Sequence, residues 1–316
     1  MIGERIIDGH EALTLSSDAL GGIEAAFVPG AGMVGCSLRH RGEELLGQRG
    51  GLASYVAEHS TMGIPLLHPW ANRVADKRLR VAGSELDLES DSPPPALDSN
   101  GLPIHGLLSA ADGWSMEDHV GTDAGGVLLA RFDFGRDDEL LRAFPFPHQL
   151  LLRVSLRGPE LKVTTTVLAS DDGPVPISFG YHSYLRLPGC ARADWEIEIP
   201  VRERLVLDSR MLPTGERSPV EVEAGRLGSR TFDDAYRAPE AGAPFVLAGG
   251  GRRIELRLGP NYRFAQVYAP SDDDVIAYEA MTAPTNALFS GADLPLLHPG
   301  GRYEASFSIE LVDVDD

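Results

Sequence analysis

The strictest constraint on the fold is a two-residue rhythm. Trp195-Glu-Ile197-Glu-Ile199-Pro-Val201, Ile254-Glu-Leu256-Arg-Leu258 and Phe307-Ser-Ile309-Glu-Leu311 all alternate apolar with polar side chains. Successive side chains of a strand point to opposite faces, so such runs bury one face and wet the other, as antiparallel sheets do. Residues 23–28, 127–134, 150–156, 161–168 and 264–268 read as further strands. The 35 glycines and 23 prolines fall between them at short intervals, where a meandering sheet needs its turns. Helix is confined to short turns, around residues 52–58 and 231–236. No repeat, low-complexity tract or linker divides the chain. The expected fold is all-β, a large single-domain antiparallel β-sandwich of two layers over residues 1–316.

Charge and cysteine content narrow the function classes. A net charge of −19 argues against nucleic acid and anionic membrane, which both require a positive face. It also disfavours strongly anionic substrates unless a local basic pocket overrides the global field. The two cysteines, Cys36 and Cys190, are too few for a disulfide framework, and no CxxC suggests zinc or redox chemistry. The first residues lack the basic region and long apolar run of a signal peptide. No stretch approaches the roughly 18 apolar residues of a membrane helix. These features lead us to expect a soluble, cytoplasmic protein without a membrane partner, as monomer or homodimer.

Four segments carry candidate chemistry. In residues 274–286, the apolar run Val275-Ile276-Ala277-Tyr278 reads as a buried strand, and Glu279 follows it directly. A carboxylate there must reach water or find a partner, since an unpaired buried charge costs several kcal/mol or shifts its pKa. A solvated rim position is the ordinary account of a lone Glu. The apolar, aromatic run 176–187 holds His182, and an imidazole and a carboxylate on two strands of one core suit a general acid and a general base. In residues 63–74, Pro65 and Pro69 bracket an apolar run before Asn72-Arg73, so this is an irregular or edge segment. Its amide and guanidinium suit hydroxyl or carboxylate binding, although pairing of Arg73 with a surface acid fits the spacing equally well. Residues 89–106 form a long Pro/Asn/Asp-rich loop that ends in His105-Gly106.

Taken in order, these segments resemble the aldose 1-epimerase (galactose mutarotase-like) family over nearly the whole chain. Asn72-Arg73 and His105-Gly106 with Trp114 following, then Phe144-Pro145-Phe146-Pro147 and the strand GYHSYL, stand in the family's order. Phe232-Asp-Asp-Ala-Tyr236 and Tyr278-Glu-Ala-Met-Thr-Ala-Pro-Thr-Asn286 complete the series. The resemblance implies a galactose mutarotase-like supersandwich, with His182 as catalytic acid and Glu279 as catalytic base. It implies sugar binding by Asn72, Arg73, His105 and Asp233, with Asp234 as the second choice for the last. Trp70 or Tyr181 would face the sugar ring. There are departures: the His-Gly segment lacks the extra glycines of galactose-type members, His68 replaces an aromatic or aliphatic residue, and Leu185 and Ala280 replace Phe and Pro.

The implied reaction is anomer interconversion of a free aldose with no metal or redox cofactor. The base removes the C1 hydroxyl proton while an acid on the opposite side of the sugar protonates the ring oxygen. The rate would then fall in acid as Glu279 protonates and in alkali as His182 loses its proton, with midpoints that belong to the pair. Alternatives are a phosphosugar (hexose-6-phosphate) 1-epimerase, which would use cations such as Arg73, Lys77, Arg78 and Arg80, and a non-catalytic sugar-binding module. A metal-dependent sandwich enzyme ranks last, because the chain has no HxH or HExxH.

Overall fold

The computed structural model describes residues 1–89, 94–122, 124–240 and 242–313. Residues 90–93 of the Pro/Asn/Asp-rich loop therefore lie outside the described residues. Among the described residues antiparallel strands dominate, in three main sheets of nine, seven and five strands. The nine-stranded sheet runs in the order Ser115–Thr122, Gly125–Asp133, His148–Arg157, Glu160–Ala169, Arg302–Asp313, Arg252–Leu258, Phe245–Gly249, Glu196–Glu198, Gly225–Arg226. The alternation read from the sequence sorts its two faces: Leu150, Leu152, Val154 and Leu156 are buried, while Arg153 between them and Arg157 after them are exposed.

The sheet that concerns function has seven strands. In chain order they are β1 (Leu66–Leu67), β2 (Gly180–Leu185), β3 (Glu203–Leu207), β4 (Pro213–Pro219), β5 (Phe232–Arg237), β6 (Phe264–Ala269) and β7 (Ile276–Met281). Their spatial order is β4-β3-β5-β6-β7-β2-β1. One face of this sheet sends Tyr181, Leu185, Tyr236, Val267, Tyr278 and Ala280 into the main core shared with the nine-stranded sheet. The five-stranded sheet (Ile2–Ile7, His10–Ser17, Ile23–Val28, Val34–His40, Glu43–Glu44) contributes Leu13, Leu15, Ile23 and Phe27 to that core. Bridges from Gly35 to Ile64 and from Leu46 to Leu185 tie it to the edge of the seven-stranded sheet.

Strands β2 and β7 are buried along their whole length, which is why they read as continuous apolar runs and not as alternating ones. Their second face carries the candidate site. Helix is short, as expected: Gly51–Glu58 forms a helix, whereas residues 231–236 do not. That segment is β5, paired with both β3 and β6. Sheet pairing overrides the low strand preference of Asp233 and Asp234, because each carboxylate finds a partner on its own face. Arg204 Nη2 meets Asp234 Oδ1 at 2.6 Å on one side, and Gln266 Nε2 donates to Asp233 Oδ1 at 2.6 Å on the other. The alternating run at 195–201 is paired only over Glu196–Glu198, and Pro200, without an N–H, lies beyond its end. A six-residue helix, Asp138–Ala143, is capped by Asp137, whose Oδ1 accepts from the N–H groups of Glu139 and Leu140.

Gly106 fixes how the irregular segments meet. Its φ is 77°, and a Cβ there would lie 2.2 Å from the carbonyl oxygen of His68. We expect Gly106→Ala to destabilise the protein by about 1–3 kcal/mol, from forbidden backbone and overlap together. A lowered urea midpoint at unchanged slope checks this, and an unchanged midpoint refutes it.

Candidate active site

The register of three neighbouring strands assembles the centre of the site. His182 on β2 lies directly opposite Glu279 on β7, and Glu279 lies directly opposite Gln266 on β6. Paired residues of antiparallel strands point to the same face, so the three side chains form a polar row across the sheet. His182 Nε2 is 3.2 Å from Glu279 Oε1, with 6% and 2% of the two side chains exposed. Gln266 extends the row to Asp233 through its 2.6 Å hydrogen bond.

Two irregular segments bring up the remaining candidates. His105 N–H donates to the Asn72 carbonyl at 3.0 Å, Val74 N–H to the Pro103 carbonyl at 3.0 Å, and Arg73 bridges Ile104. Asn72 and His105 both have left-handed backbones, with φ of 57° and 65°. Asn72 Oδ1 accepts from Arg73 Nη1 at 3.0 Å, and Arg73 Nε donates to Asp98 Oδ2 at 2.7 Å. Asp98 Oδ1 in turn accepts from the N–H groups of Asn100 and Leu102. Arg73 Nη2 is 3.9 Å from Asp233 Oδ2, and the His105 ring sits edge-on to His182 with centroids 5.5 Å apart. All six residues singled out in the sequence thus belong to one cluster, around the buried His182 and Glu279. Asn72, His182 and Glu279 are buried, whereas Arg73, His105 and Asp233 are partly exposed.

Other expectations fail in instructive ways. Tyr181 does not face the site: period-2 geometry sends it to the opposite side of β2, where its hydroxyl meets Thr165 Oγ1 at 2.7 Å. Trp70 is likewise buried in the main core. Asp234, the second choice for a sugar-binding carboxylate, points away and pairs with Arg204. Lys77, Arg78 and Arg80 lie within 4 Å of carboxylates of Asp87, Glu89 or Glu85, at an exposed two-stranded hairpin. Glu279 and His182, expected on opposite sides of a ligand, stand in contact at 3.2 Å with no room between them.

His68, unusual for the family it resembles, has a partner. Its Nε2 is 2.8 Å from His148 Nε2, and His148 Nδ1 donates to the Phe146 carbonyl at 2.6 Å. His148 Nε2 must then accept and His68 Nε2 donate, with both rings neutral. Burial lowers the proton affinity of both, that of His148 to about 4.

Residues missed in the sequence complete the environment. Tyr184 stacks on His182 at 4.0 Å between centroids, Tyr268 meets His182 edge-on at 5.9 Å, and Arg49 Nη1 donates to the Tyr184 hydroxyl at 3.0 Å. The signal for Gln266 was legible as a polar residue inside the apolar run FAQVYA, and the turn sequence Asp98-Ser-Asn-Gly marked the anchor of Arg73.

Electrostatics set the protonation of the pair. Burial drives the Glu279 carboxyl well above its usual range, Asp233 adds to this, and Arg73 opposes it. Burial also drives His182 well below the usual imidazole value, followed by His105 and Arg49. His105 falls to about 3, mainly by burial and then by Arg73. Both shifts act toward the uncharged forms, a carboxylic acid beside a neutral imidazole. This arrangement has the same proton count as carboxylate beside imidazolium and differs only in where one proton lies along the 3.2 Å contact. Glu279 Oε2, Gln266 Oε1, His182 Nδ1 and His105 Nδ1 are buried without a hydrogen-bond partner among the described residues. Each such atom costs about 1–3 kcal/mol unless a ligand or water meets it, so the cluster is chemically poised for a molecule rich in hydroxyls.

Comparison with known proteins agrees with the architecture. The profile of the aldose 1-epimerase family matches residues 22–310. The uncharacterized protein YihR of Escherichia coli K12 is 24% identical over 271 residues, which span 80% of this chain and 82% of that one. A galactose mutarotase-like protein from Clostridium acetobutylicum superimposes with a TM-score of 0.85 at 19% identity, over 99% of each chain. Galactose 1-epimerase from Lactobacillus acidophilus does so with a TM-score of 0.78 at 15% identity, over 100% of this chain and 99% of that one.

The uncharged pair has a spectroscopic signature. Near neutral pH, an infrared difference spectrum of wild type against Glu279→Gln is expected to contain a protonated-carboxyl C=O band. That band should vanish as pH rises through the elevated pKa of Glu279. A carboxylate spectrum at neutral pH would show instead that Glu279 is ionised.

Proposed function

The chain belongs to the aldose 1-epimerase family, and we propose that it interconverts the α and β anomers of a free aldose at the His182–Glu279 pair. The observation that carries this reading is the pair itself: an acid and a base in contact on one face, ringed by unpaired polar atoms. The anomeric hydroxyl and the ring oxygen hang on the same carbon, so groups that serve both must stand side by side. In the productive proton arrangement Glu279 is ionised and His182 protonated. Glu279 takes the C1 hydroxyl proton, the C1–O5 bond breaks as C1=O1 forms, and His182 protonates O5. Rotation about C1–C2 presents the other face, and the reverse transfers close the ring. The pair keeps its proton count throughout, and Asn72, Arg73, His105 and Asp233 hold hydroxyls around it.

A phosphosugar substrate has less support. Arg73 is bonded to Asp98 and Arg49 to Asp273, so these nearby guanidinium groups already have carboxylate partners. A sugar-binding module without turnover would have no use for a buried acid/base pair, whose burial is costly.

Glu279→Gln keeps the shape but removes the proton acceptor. Polarimetry should then show anomerisation slowed by about 10²–10⁴-fold, while calorimetric sugar affinity changes little. A variant within threefold of wild type would end the assignment, and binding without acceleration in the wild type would identify a sensor.

The pH profile follows from the proton count. The pair gains a second proton only below the depressed pKa of His182 and loses its proton only above the elevated pKa of Glu279. The rate should therefore show a broad plateau, with an acid limb below the ordinary imidazole pKa of 6.5 and an alkaline limb well above the ordinary carboxylate pKa of 4.5. This assigns the two limbs in the reverse of the order drawn from sequence. A narrow bell centred between 4.5 and 6.5 would contradict it.

A further inference from the structure

Behind His182 stands a stack that the proton transfers leave without a role. Tyr184 lies two residues along β2 on the same face, its ring 14° from coplanar with the imidazole. Its hydroxyl accepts from Arg49 Nη1 at 3.0 Å and is then free to donate to Thr61 Oγ1, 2.6 Å away. The guanidinium carbon of Arg49 is 5.1 Å from the centre of the Tyr184 ring, and Nε bonds Asp273 Oδ2 at 3.2 Å. Arg49 itself lies in a turn with a left-handed backbone, φ 45°. One planar guanidinium thus spans a carboxylate and a phenol at once, which the single ammonium of a lysine cannot reproduce.

Taking the His182–Glu279 pair as the proton-transfer machinery, we propose that Arg49 is a positioning residue that acts through Tyr184. It fixes the plane of the His182 imidazole through the stacked Tyr184 ring.

The electrostatics point the same way as the geometry. A cation near the ring disfavours imidazolium, so a proton on His182 is held less tightly. Burial is the largest cause of this weakened hold, His105 the next and Arg49 the third, with Arg73 acting in the same direction and a backbone hydrogen bond opposing. The other groups against the ring are Glu279, Tyr184 and Tyr268, and Asp233 acts on Glu279 from β5. Asp273 offsets part of the charge of Arg49, so the tether through Tyr184 and the field have to be separated by experiment.

Arg49→Met, Arg49→Lys and Tyr184→Phe separate them. Each is followed by NMR titration of the His182 imidazole and by polarimetric kcat and KM across pH. In Arg49→Met, His182 should titrate at higher pH than in wild type, and the acid limb of kcat should move up with it. Plateau kcat should fall about tenfold, one decade of those a positioned acid supplies, with KM within about twofold. Arg49→Lys should return the titration toward wild type while recovering only part of kcat. Tyr184→Phe, which keeps the stacked ring but loses the tether, should lose plateau kcat by a similar factor, and the Arg49→Met/Tyr184→Phe double variant should be no slower than the worse single one. Wild-type titration and kcat in Arg49→Met, or a loss of thermal stability alone, would overturn the proposal. If Arg49→Met does not fold, Tyr184→Phe with wild-type kcat overturns it equally. A wild type that does not accelerate anomerisation would instead sink the epimerase reading, while the imidazole titration still decides the role of Arg49.

Discussion

The structure turns on one unfavourable act, the burial of an imidazole and a carboxyl group opposite each other on adjacent strands. Either group alone would be costly there, because water that would solvate its charge has been removed. Together they lower the cost by sharing a proton and carrying no net charge. Most of the neighbouring architecture serves this arrangement. Tyr184 stacks on one ring face, Gln266 continues the polar row on the neighbouring strand, and the segments around Asn72 and His105 deliver groups of their own to the same patch. Among the described residues, several buried polar atoms left without a hydrogen bond lie at this place, namely one oxygen of Glu279 and one nitrogen each of His182 and His105.

Charge is handled locally in a chain whose total is −19. The two arginines that reach the site are each held by an acid outside the pair, Arg73 by Asp98 and Arg49 by Asp273. Their geometry is thereby set before a ligand arrives, and their fields bias the pair without binding to it directly. The His68–His148 contact shows the same economy in the core. A histidine that looks misplaced among aromatic residues is accommodated because a second histidine, fixed by the Phe146 carbonyl, accepts its N–H.

The fold was legible wherever one sheet face meets water, because there the alternation has two outcomes to distinguish. Strands such as His148–Arg157 are of this kind. It was less legible where both faces are covered, and residues 231–236 looked like a turn because the partners of Asp233 and Asp234 come from distant strands. Glu279 and His182 stood out as polar residues in apolar runs, but their contact is a matter of register, which a single strand does not contain. Period-2 parity alone would have excluded Tyr181 once His182 was assigned to the site, since adjacent residues of a strand cannot share a face. Arg49 carried no local signal at all: its importance lies in a tyrosine more than a hundred residues away.

The direct opposition of His182 and Glu279 also determines where this chain can change length. Between β2 and β7 the polypeptide gains or loses loop residues at little cost, since closure entropy grows only slowly with loop size. Within either strand the situation is reversed. Deleting one residue upstream of Glu279 in β7 would rotate every following side chain to the other face and place a carboxylate in the aromatic core. The same holds for β2 and its imidazole. Drift in such a lineage is therefore expected to accumulate as insertions and deletions in the connections, while the two short strands keep their length to the residue.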